Sequence, residues 1–289
     1  MSILKNKIDF AAIISVDHAN PNGDPLNGNR PRITYSGNGE ISDVCIKRKI
    51  RNRLQDMGEK IFVQSNDRCD DKFDSLSKRA SGTIQTYSSN DDYEKQACEE
   101  WIDVRSFGQV FAFKKDKQKE KEKGEGGSVS VGVRGPVSIH QALSVGPIDI
   151  NSMQITKSVS GESGEKKGSD TMGTKHMVEY GIYVIKGSIN VQLAQKTGFT
   201  EEDADKIKEC IRTLFINDSS SARPDGSMEV IKVYWWKHNN QIGQYSSAKV
   251  HRSLQVTIKE GVAFPRCIDD YTITLEALDG LEPEIIDGI

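Results

Sequence analysis

The chain has 289 residues, of which 28% are charged and 36% hydrophobic, and its mean hydropathy is −0.55. This composition suits a globular protein of one or two domains. The sequence contains no run of about 18 apolar residues, the length that would predict a membrane-spanning helix. Five widely spaced cysteines without a CxxC pair exclude a disulfide framework and a zinc ribbon. No signal-peptide pattern precedes the first predicted strand, so we expect a cytoplasmic protein. The five histidines form no HExxH or HxxxH pair, and we expect neither a metal nor a cofactor.

The net charge of −3 hides an uneven distribution. Residues 260–289 carry eight acids and one base, which leaves a charge of +4 on residues 1–259. Residues 30–53 alone hold seven bases and two acids. Because a phosphate backbone responds to a local patch and not to the total charge, a nucleic-acid-binding surface is compatible with this chain.

The first part of the chain is typical of a buried strand followed by turns and a helix. Residues 8–16 are apolar and β-prone, and a turn-rich sequence leads from them to a short hairpin over 32–41. Ser42 is a suitable N-cap for a helix over about 43–57. One buried stripe is predicted on that helix, formed by Ile46, Ile50, Leu54 and Met57.

The rest of the chain alternates polar insertions with regular elements. A polar insertion fills residues 66–100, and an arm rich in Ser, Gly and Lys spans 151–181, longer than ordinary connections in compact domains. The pattern predicts strands at 180–191, 228–236 and 254–258, and a helix at 201–215. This order of elements predicts an α+β protein with a split βαβ, ferredoxin-like sheet.

The helix at 43–57 carries the most informative set of polar side chains. With about 100° between successive residues, Lys47, Arg48 and Arg51 fall within one arc, beside the apolar stripe. We expect the core to hold the helix while these three side chains point away from it and bind successive phosphates. The alternative is a solvated basic face without a ligand.

Two further groups of residues could contact bases. Met172, near the tip of the basic arm, could act as an apolar wedge between bases, or it could simply pack on the domain. The aromatic run Tyr234, Trp235 and Trp236 could stack on bases. Because neighbours on a strand point to opposite faces, at least one of these rings is expected in the core.

An enzymatic alternative rests on three acids that lie close together in the sequence. Asp17, Asp24 and Asp43 could hold a divalent metal in a metal-dependent RNA endonuclease. The spacing around Asp17 is not that of an EF-hand, and Asp24 lies in a turn where aspartate is common for conformational reasons. We therefore favour binding over catalysis.

Six segments in order carry a family resemblance over roughly residues 8–258. They are Asn20-Pro-Asn-Gly-Asp-Pro25, Ser42-Asp-Val-Cys-Ile-Lys-Arg-Lys-Ile-Arg51, Asp103-Val-Arg-Ser-Phe-Gly-Gln109, Gly132-Val-Arg-Gly-Pro-Val-Ser138, Ser169-Asp-Thr-Met-Gly-Thr174 and Ser219-Ser-Ser-Ala-Arg-Pro224. Together they resemble the RAMP-like backbone subunit of type I-C CRISPR Cascade, the Csd-type branch of the Cas-seven family. The acidic segment 260–289 lies outside these motifs; it could dock on a neighbouring subunit or limit non-specific binding.

The resemblance implies a fold and a function. The fold would be an RRM-like palm with inserted fingers at about 60–100 and a thumb arm at about 151–181. Several copies would polymerise along crRNA, and each thumb would displace a base at intervals so that the guide pairs with target DNA in antiviral defence. The subunit would not be an enzyme, and its partners would be crRNA, target DNA, copies of itself, and the Cas-five, Cas-eight and small subunits. A general single-stranded RNA-binding module stays open as an alternative.

The resemblance also assigns roles to individual residues, all of them in RNA binding. On the palm they are Ser42, Lys47, Arg48 and Arg51; on the thumb they are Met172, Thr174 and Lys175; and in the groove they are Arg134 and Gln141. No catalytic residue and no metal ligand is implied.

Overall fold

The computed structural model of the chain describes residues 2–113, 130–156 and 172–289. The strands are β1 Ile8–Ala19, β2 Gly23–Asp24, β3 Arg30–Pro31, β4 Asn38–Ile41, β5 Gln109–Ala112, β6 Ser130–Val133, β7 Val137–Ile139, β8 Ala142–Pro147, β9 Ile150–Thr156, β10 Met172–Ile189, β11 Met228–Lys237, β12 Leu254–Ile258, β13 Tyr271–Leu275 and β14 Glu284–Asp287. The helices are α1 Asp43–Asp56, α2 Leu76–Thr83, α3 Asn90–Glu100, α4 Ile102–Phe107, α5 Val191–Thr197, α6 Glu201–Arg212 and α7 Ser247–Ser253. No helix in these three ranges is long and apolar enough to cross a membrane.

A large antiparallel sheet organises the molecule. Its strand order is β14-β11-β1-β10-β8-β4, and β7 and β9 also pair with β10. The central strand β1 is buried from Ile8 to Val16, because its run of Ile, Ala and Val leaves little polar surface for solvent on either face. Its register with β10 runs from Ile8 opposite Ile189 to Ala19 opposite Val178.

The two faces of the sheet are covered by different parts of the chain. On one face, Phe10, Ile14 and their neighbours pack against the apolar sides of α1 and α6. On the other face, Ala11 and Ile13 pack with residues of α7, β12 and β13. The chain is therefore layered on both sides of β1, and neither side of its central strand is open to a ligand.

The insertion predicted as polar has its own apolar core. Phe62, Tyr93, Trp101 and Phe111 are buried together, and the rings of Phe62 and Trp101 lie 4.7 Å apart. This second core draws on α2, α3 and α4 and on the β5–β6 hairpin, so it extends well beyond residue 100. The aromatic residues that form it are spread thinly along a polar sequence, which is why the pattern at 60–100 suggests few apolar anchors.

The acidic C-terminal segment contributes two strands to the fold. β13 pairs with β12, and β14 forms the edge of the main sheet beside β11. Glu284 accepts a hydrogen bond from Lys208 Nζ at 2.8 Å, and Asp287 forms an ion pair with Lys232. Two of the acids in this segment are therefore balanced by lysines of the same chain.

The structure confirms most of the predicted α1 stripe and corrects its end. Ile46, Ile50 and Leu54 are almost completely buried, whereas Met57 is 40% exposed because the helix ends at Asp56 and Met57 is its C-cap. Lys49, which the periodicity places beside the stripe, is only 4% exposed. Burial lowers the pKa of the Lys49 ammonium, and the neighbouring carboxylate of Asp218 opposes that shift.

Candidate nucleic-acid interface

The N-terminus of α1 is fixed by a serine cap and by the turn that precedes it. Ser42 Oγ accepts a hydrogen bond from the Cys45 amide at 3.3 Å, as an N-cap should. Both the amide and the hydroxyl of Ser42 donate to Asn22 Oδ1 at 2.9 Å. Ser42 is half-buried, and Val44 beside it is 67% exposed, so the first turn of the helix faces solvent. The loop at 20–32 is thereby joined to the helix terminus.

Lys47 lies one turn further along α1. Its ammonium donates to Asp43 Oδ2 at 3.0 Å, and the side chain keeps 22% of its surface exposed. A surface pair at i,i+4 contributes only about 0.3–0.5 kcal/mol, so a phosphate could displace Asp43 at small cost. Lys47 therefore fits the predicted role of a phosphate ligand.

Arg48 and Arg51 do not point freely into solvent, which corrects the predicted orientation of the basic arc. Arg51 Nε donates at 2.8 Å to Asp103, a fully buried carboxylate, and its guanidinium lies over the Phe107 ring. Arg48 Nη1 donates to the Val63 carbonyl at 2.6 Å. Burial lowers the pKa of the Arg48 guanidinium, and the charge of Arg51 lowers it further. Both arginines hold α1 against the insertion.

Asp103 accepts the hydrogen bonds that form the joint between α1 and the insertion. Its two carboxylate oxygens accept from the Phe62 amide at 2.7 Å and the Val63 amide at 3.1 Å, in addition to Arg51. The periodicity of α1 could not show this arrangement, because Asp103 lies fifty-two residues further along the chain. The segment Asp103–Gln109, one of the six family-like motifs, was the available signal.

Arg134 and Gln141 are both exposed, as a role in lining a groove requires. Arg134 follows β6 at the edge of the second core. The register of Ile41 opposite Ala142 between β4 and β8, continued by one residue, brings Gln141 opposite Ser42. The structure thus brings Gln141 close to the start of α1, which sequence spacing alone could not indicate.

The first and last parts of the predicted arm are two strands that pair as a β-hairpin extending from the main sheet. β9 pairs with the first half of β10, from Ile150 opposite Val178 to Thr156 opposite Met172. Met172 and Thr174 are exposed, Lys175 is half-buried, and Met172 Sδ lies 3.2 Å from the side-chain amide of Gln154. Residues 157–171, the remainder of the predicted arm, lie outside the described ranges. Met172 therefore keeps 54% of its surface exposed at the described end of the hairpin.

Arg30 links this hairpin to the loop that caps α1. Its Nη1 donates to Ser152 Oγ at 3.0 Å and lies 3.2 Å from His176 Nδ1, one residue from each strand of the hairpin. The sequence did not single out Arg30 as more than one charge in a basic stretch. Arg30 joins the hairpin to the loop, and Asn22 of the same loop accepts from Ser42. These contacts bring the predicted thumb and palm residues to the same end of the sheet.

A second cluster of cations, not foreseen from the sequence, lies where α1 meets the 217–227 loop. Asp218 accepts from Lys49 Nζ and, at 3.0 Å, from Arg223 Nε. The Asn20 amide donates to the Ala222 carbonyl at 2.8 Å, which holds this loop against the end of β1. The segment Ser219–Pro224, the last of the family-like motifs, was the only signal for it.

The two remaining hypotheses from the sequence fare differently. Tyr234, Trp235 and Trp236 are all at most 4% exposed, so the prediction that this run offers a stacking surface is wrong. Trp235 stacks on Phe10 in the core that contains α1, and the other two lie in the core on the opposite face. Each aspartate of the nuclease alternative has a local partner: Asp17 pairs with His18, Asp24 accepts from the Leu26 amide, and Asp43 pairs with Lys47.

These observations define a mixed α+β protein built on a large antiparallel sheet, with a helical insertion on one side and a projecting hairpin at one end. The family model described as CRISPR-associated protein Cas7 matches residues 6–276, so the chain belongs to the Cas7 family. A relative from Haloferax volcanii, described as CRISPR-associated protein Cas7, is 26% identical over 219 residues, covering 72% of this chain and 64% of the relative. This chain therefore spans less than two thirds of that relative's length.

One solved structure shows a similar fold. A chain of a CRISPR RNA-guided surveillance complex in a pre-nicking state matches 89% of this chain and 84% of its own length, with a TM-score of 0.51 and 14% identity. A chain of another CRISPR RNA-guided surveillance complex matches 80% of this chain and 68% of its own length, with a TM-score of 0.41 and 15% identity.

Proposed function

We propose that this protein is the repeating, non-catalytic backbone subunit of a type I-C Cascade complex. Several copies polymerise along crRNA, hold its phosphates and displace bases at intervals, so that the remaining guide pairs with target DNA. The other Cascade subunits complete the particle. Membership of the Cas7 family supports this proposal, and so does the exposed start of α1 beside a projecting hairpin.

The body of the protein acts as an RRM-like palm in this proposal. Strands β11, β1, β10 and β7 lie in that order, and α1 and α6 cover one face, which corresponds to the 4-1-3-2 arrangement of a split βαβ fold. The second core, whose buried residues run from Phe62 to Val133, would form the fingers, and the β9–β10 hairpin would form the stem of the thumb.

The observation that carries the proposal is the convergence of phosphate-compatible groups at one end of the sheet. The half-buried hydroxyl of Ser42, the weakly paired ammonium of Lys47 and the exposed amide of Gln141 lie near the N-terminus of α1. A helix N-terminus favours an anion, and Lys47 adds a mobile charge. These contacts read the backbone and not the bases, which suits a guide whose spacer sequence varies.

The test is co-expression of the full chain with a CRISPR array transcript, followed by measurement of particle mass and RNA content. We expect particles of high mass that contain uncut, protected RNA. In the variant Lys47→Glu with Lys175→Glu, RNA content per protein should fall at least tenfold, while the far-UV circular dichroism spectrum stays unchanged.

The matched control is Lys78→Glu with Lys95→Glu, two lysines that are 65% and 75% exposed on the insertion. This control has the same charge change and should keep its RNA. Equal RNA loss in both variants would show that only total charge matters. RNA fragments in place of protected RNA would instead favour the nuclease alternative.

A further inference from the structure

A strip of unpaired basic and hydroxyl side chains lies on the sheet face opposite α1. Lys186 on β10 is half-buried, and the amide of His140 donates to its carbonyl at 2.8 Å, so the two residues are cross-strand neighbours. The next pair along the same two strands is Ser188 opposite Ser138. All four side chains point to the side of Ala11, because cross-strand partners share a face.

Helix α7 borders this strip and fixes its orientation. His251 is 5% exposed, and its Nε2 lies 3.0 Å from the Gly187 carbonyl, while the rings of His251 and His140 meet edge to face at 5.7 Å. Lys249 and Arg252 project from the exposed side of the same helix. The contact between His251 and His140 therefore joins α7 to the strip. On the exposed side of the helix, Lys249 Nζ lies 4.3 Å from the centre of the Tyr245 ring.

The strip differs from the other basic regions because, within residues 2–113, 130–156 and 172–289, its exposed cations form no ion pair, although the charge of the buried Asp9 carboxylate acts on His251. Among the described residues, neither Lys186 nor Arg252 has an ion pair or a side-chain hydrogen bond. The acids nearby are engaged or peripheral: Asp9 is buried against Lys7 and His238, and Glu276 approaches only through its amide, which donates to the Ser253 carbonyl. Burial lowers the pKa of the Lys186 ammonium, and a bound anion would offset that cost.

We propose that this strip is a second nucleic-acid site, which binds the phosphate backbone of a single strand other than the one held at α1. The donors are ammonium, guanidinium, imidazole and hydroxyl groups, all of which bond phosphate oxygens. No exposed aromatic ring lies in the strip as defined, so binding is electrostatic and independent of sequence. The site is on the far side of the sheet from α1, so both strands can be bound at once.

The experiment measures how RNA-loaded particles bind labelled single-stranded DNA that does not match the guide. The variants are Lys249→Glu with Arg252→Glu, both on exposed side chains, and separately Lys186→Gln. The control is Lys78→Glu with Lys95→Glu. We expect the α7 double variant to bind more weakly and to lower the slope of log affinity against log salt by about 1.4, with guide content and particle mass unchanged.

Three outcomes would overturn the proposal. Equal affinity of the α7 double variant and the control would show that the strip does not contact the strand. A loss of guide RNA would show that this face holds the guide itself. A fall in particle mass with unchanged DNA binding per copy would show that the strip contacts another copy of the protein. If Lys186→Gln fails to fold, the double variant decides the question alone.

Discussion

Two basic regions of this chain differ in what their charges contact. On α1, Lys49, Arg51 and Arg48 contact Asp218, Asp103 and a backbone carbonyl, whereas Lys47 has a weak, partly exposed partner. On the strip beside α7, Lys186, Lys249 and Arg252 form no ion pair with any acid in the described part of the chain. Local charge in a sequence is therefore a poor measure of the charge available to a ligand, because buried carboxylates from distant segments can neutralise it.

The largest expected effect tests the claim that Asp103 is the joint between α1 and the insertion. Asp103→Leu removes an acceptor of three hydrogen bonds and leaves Arg51 buried without a counter-charge. We expect a loss of about 3–5 kcal/mol in the free energy of unfolding, measured by urea denaturation. If the variant were as stable as the parent, Asp103 would not be what joins α1 to the insertion.

Two further variants separate the buried ion pair from general effects of charge. Asp74→Asn removes an exposed acid whose side chain is 69% accessible, and should change stability by less than about 0.5 kcal/mol. The double variant Arg51→Met with Asp103→Leu removes both charges, so it should be less destabilised than Asp103→Leu alone.

The second prediction compares two basic residues one turn apart on α1. Arg51→Glu brings a carboxylate next to Asp103, so it should destabilise the fold by several kcal/mol, about as much as breaking a buried pair. Lys47→Glu should leave the unfolding free energy within about 1 kcal/mol of the parent and still weaken RNA binding. Thermal unfolding and RNA binding, measured on the same preparations, check both. A stable Arg51→Glu protein that has lost RNA would restore Arg51 as a ligand.

The third prediction concerns the hairpin, where a substitution of an exposed residue should alter RNA binding geometry without altering stability. Met172 is 54% exposed, so Met172→Ala should change stability by less than about 0.5 kcal/mol. If Met172 is the wedge, chemical probing of bound RNA should show that periodic base displacement is lost or reduced while particle mass is unchanged. Val230→Ala, a change at a buried position on β11, is the control that should lower stability without altering that pattern.

The sequence predicted the elements of the fold better than their contacts. Strand β1 and the α1 stripe follow from local periodicity, so Ile46, Ile50 and Leu54 were correct. The partners of Arg48 and Arg51 depend on tertiary contacts with residues far along the chain, and no periodicity encodes those. The prediction of a stacking surface at 234–236 is wrong for a related reason: alternation predicts one exposed face, but α7, β12 and β13 cover that face.

The smallest expected effect is on the pH dependence of stability. The surroundings of His251 lower its pKa, whereas those of His18 raise its pKa. Burial is the main reason that the pKa of His251 is lowered, so the unfolded chain takes up this proton first as the pH falls below 6.5. Stability should therefore drop on acidification, by on the order of 1 kcal/mol between about pH 7.5 and pH 5.5. Unfolding free energies at both pH values, for the parent and for His251→Gln, test this; the variant should show the smaller drop.

His18 should act in the opposite direction and more weakly. Its hydrogen bond with Asp17 is the main cause of a raised pKa, so its contribution is present below pH 6.5 and lost as the pH rises through the folded value. The side chain is 69% exposed, and solvent screening limits the effect to a few tenths of a kcal/mol, about that of a surface pair. His18→Gln should thus steepen the acid loss slightly, where His251→Gln flattens it. If both variants changed the slope in the same direction, burial would not be what separates the two sites.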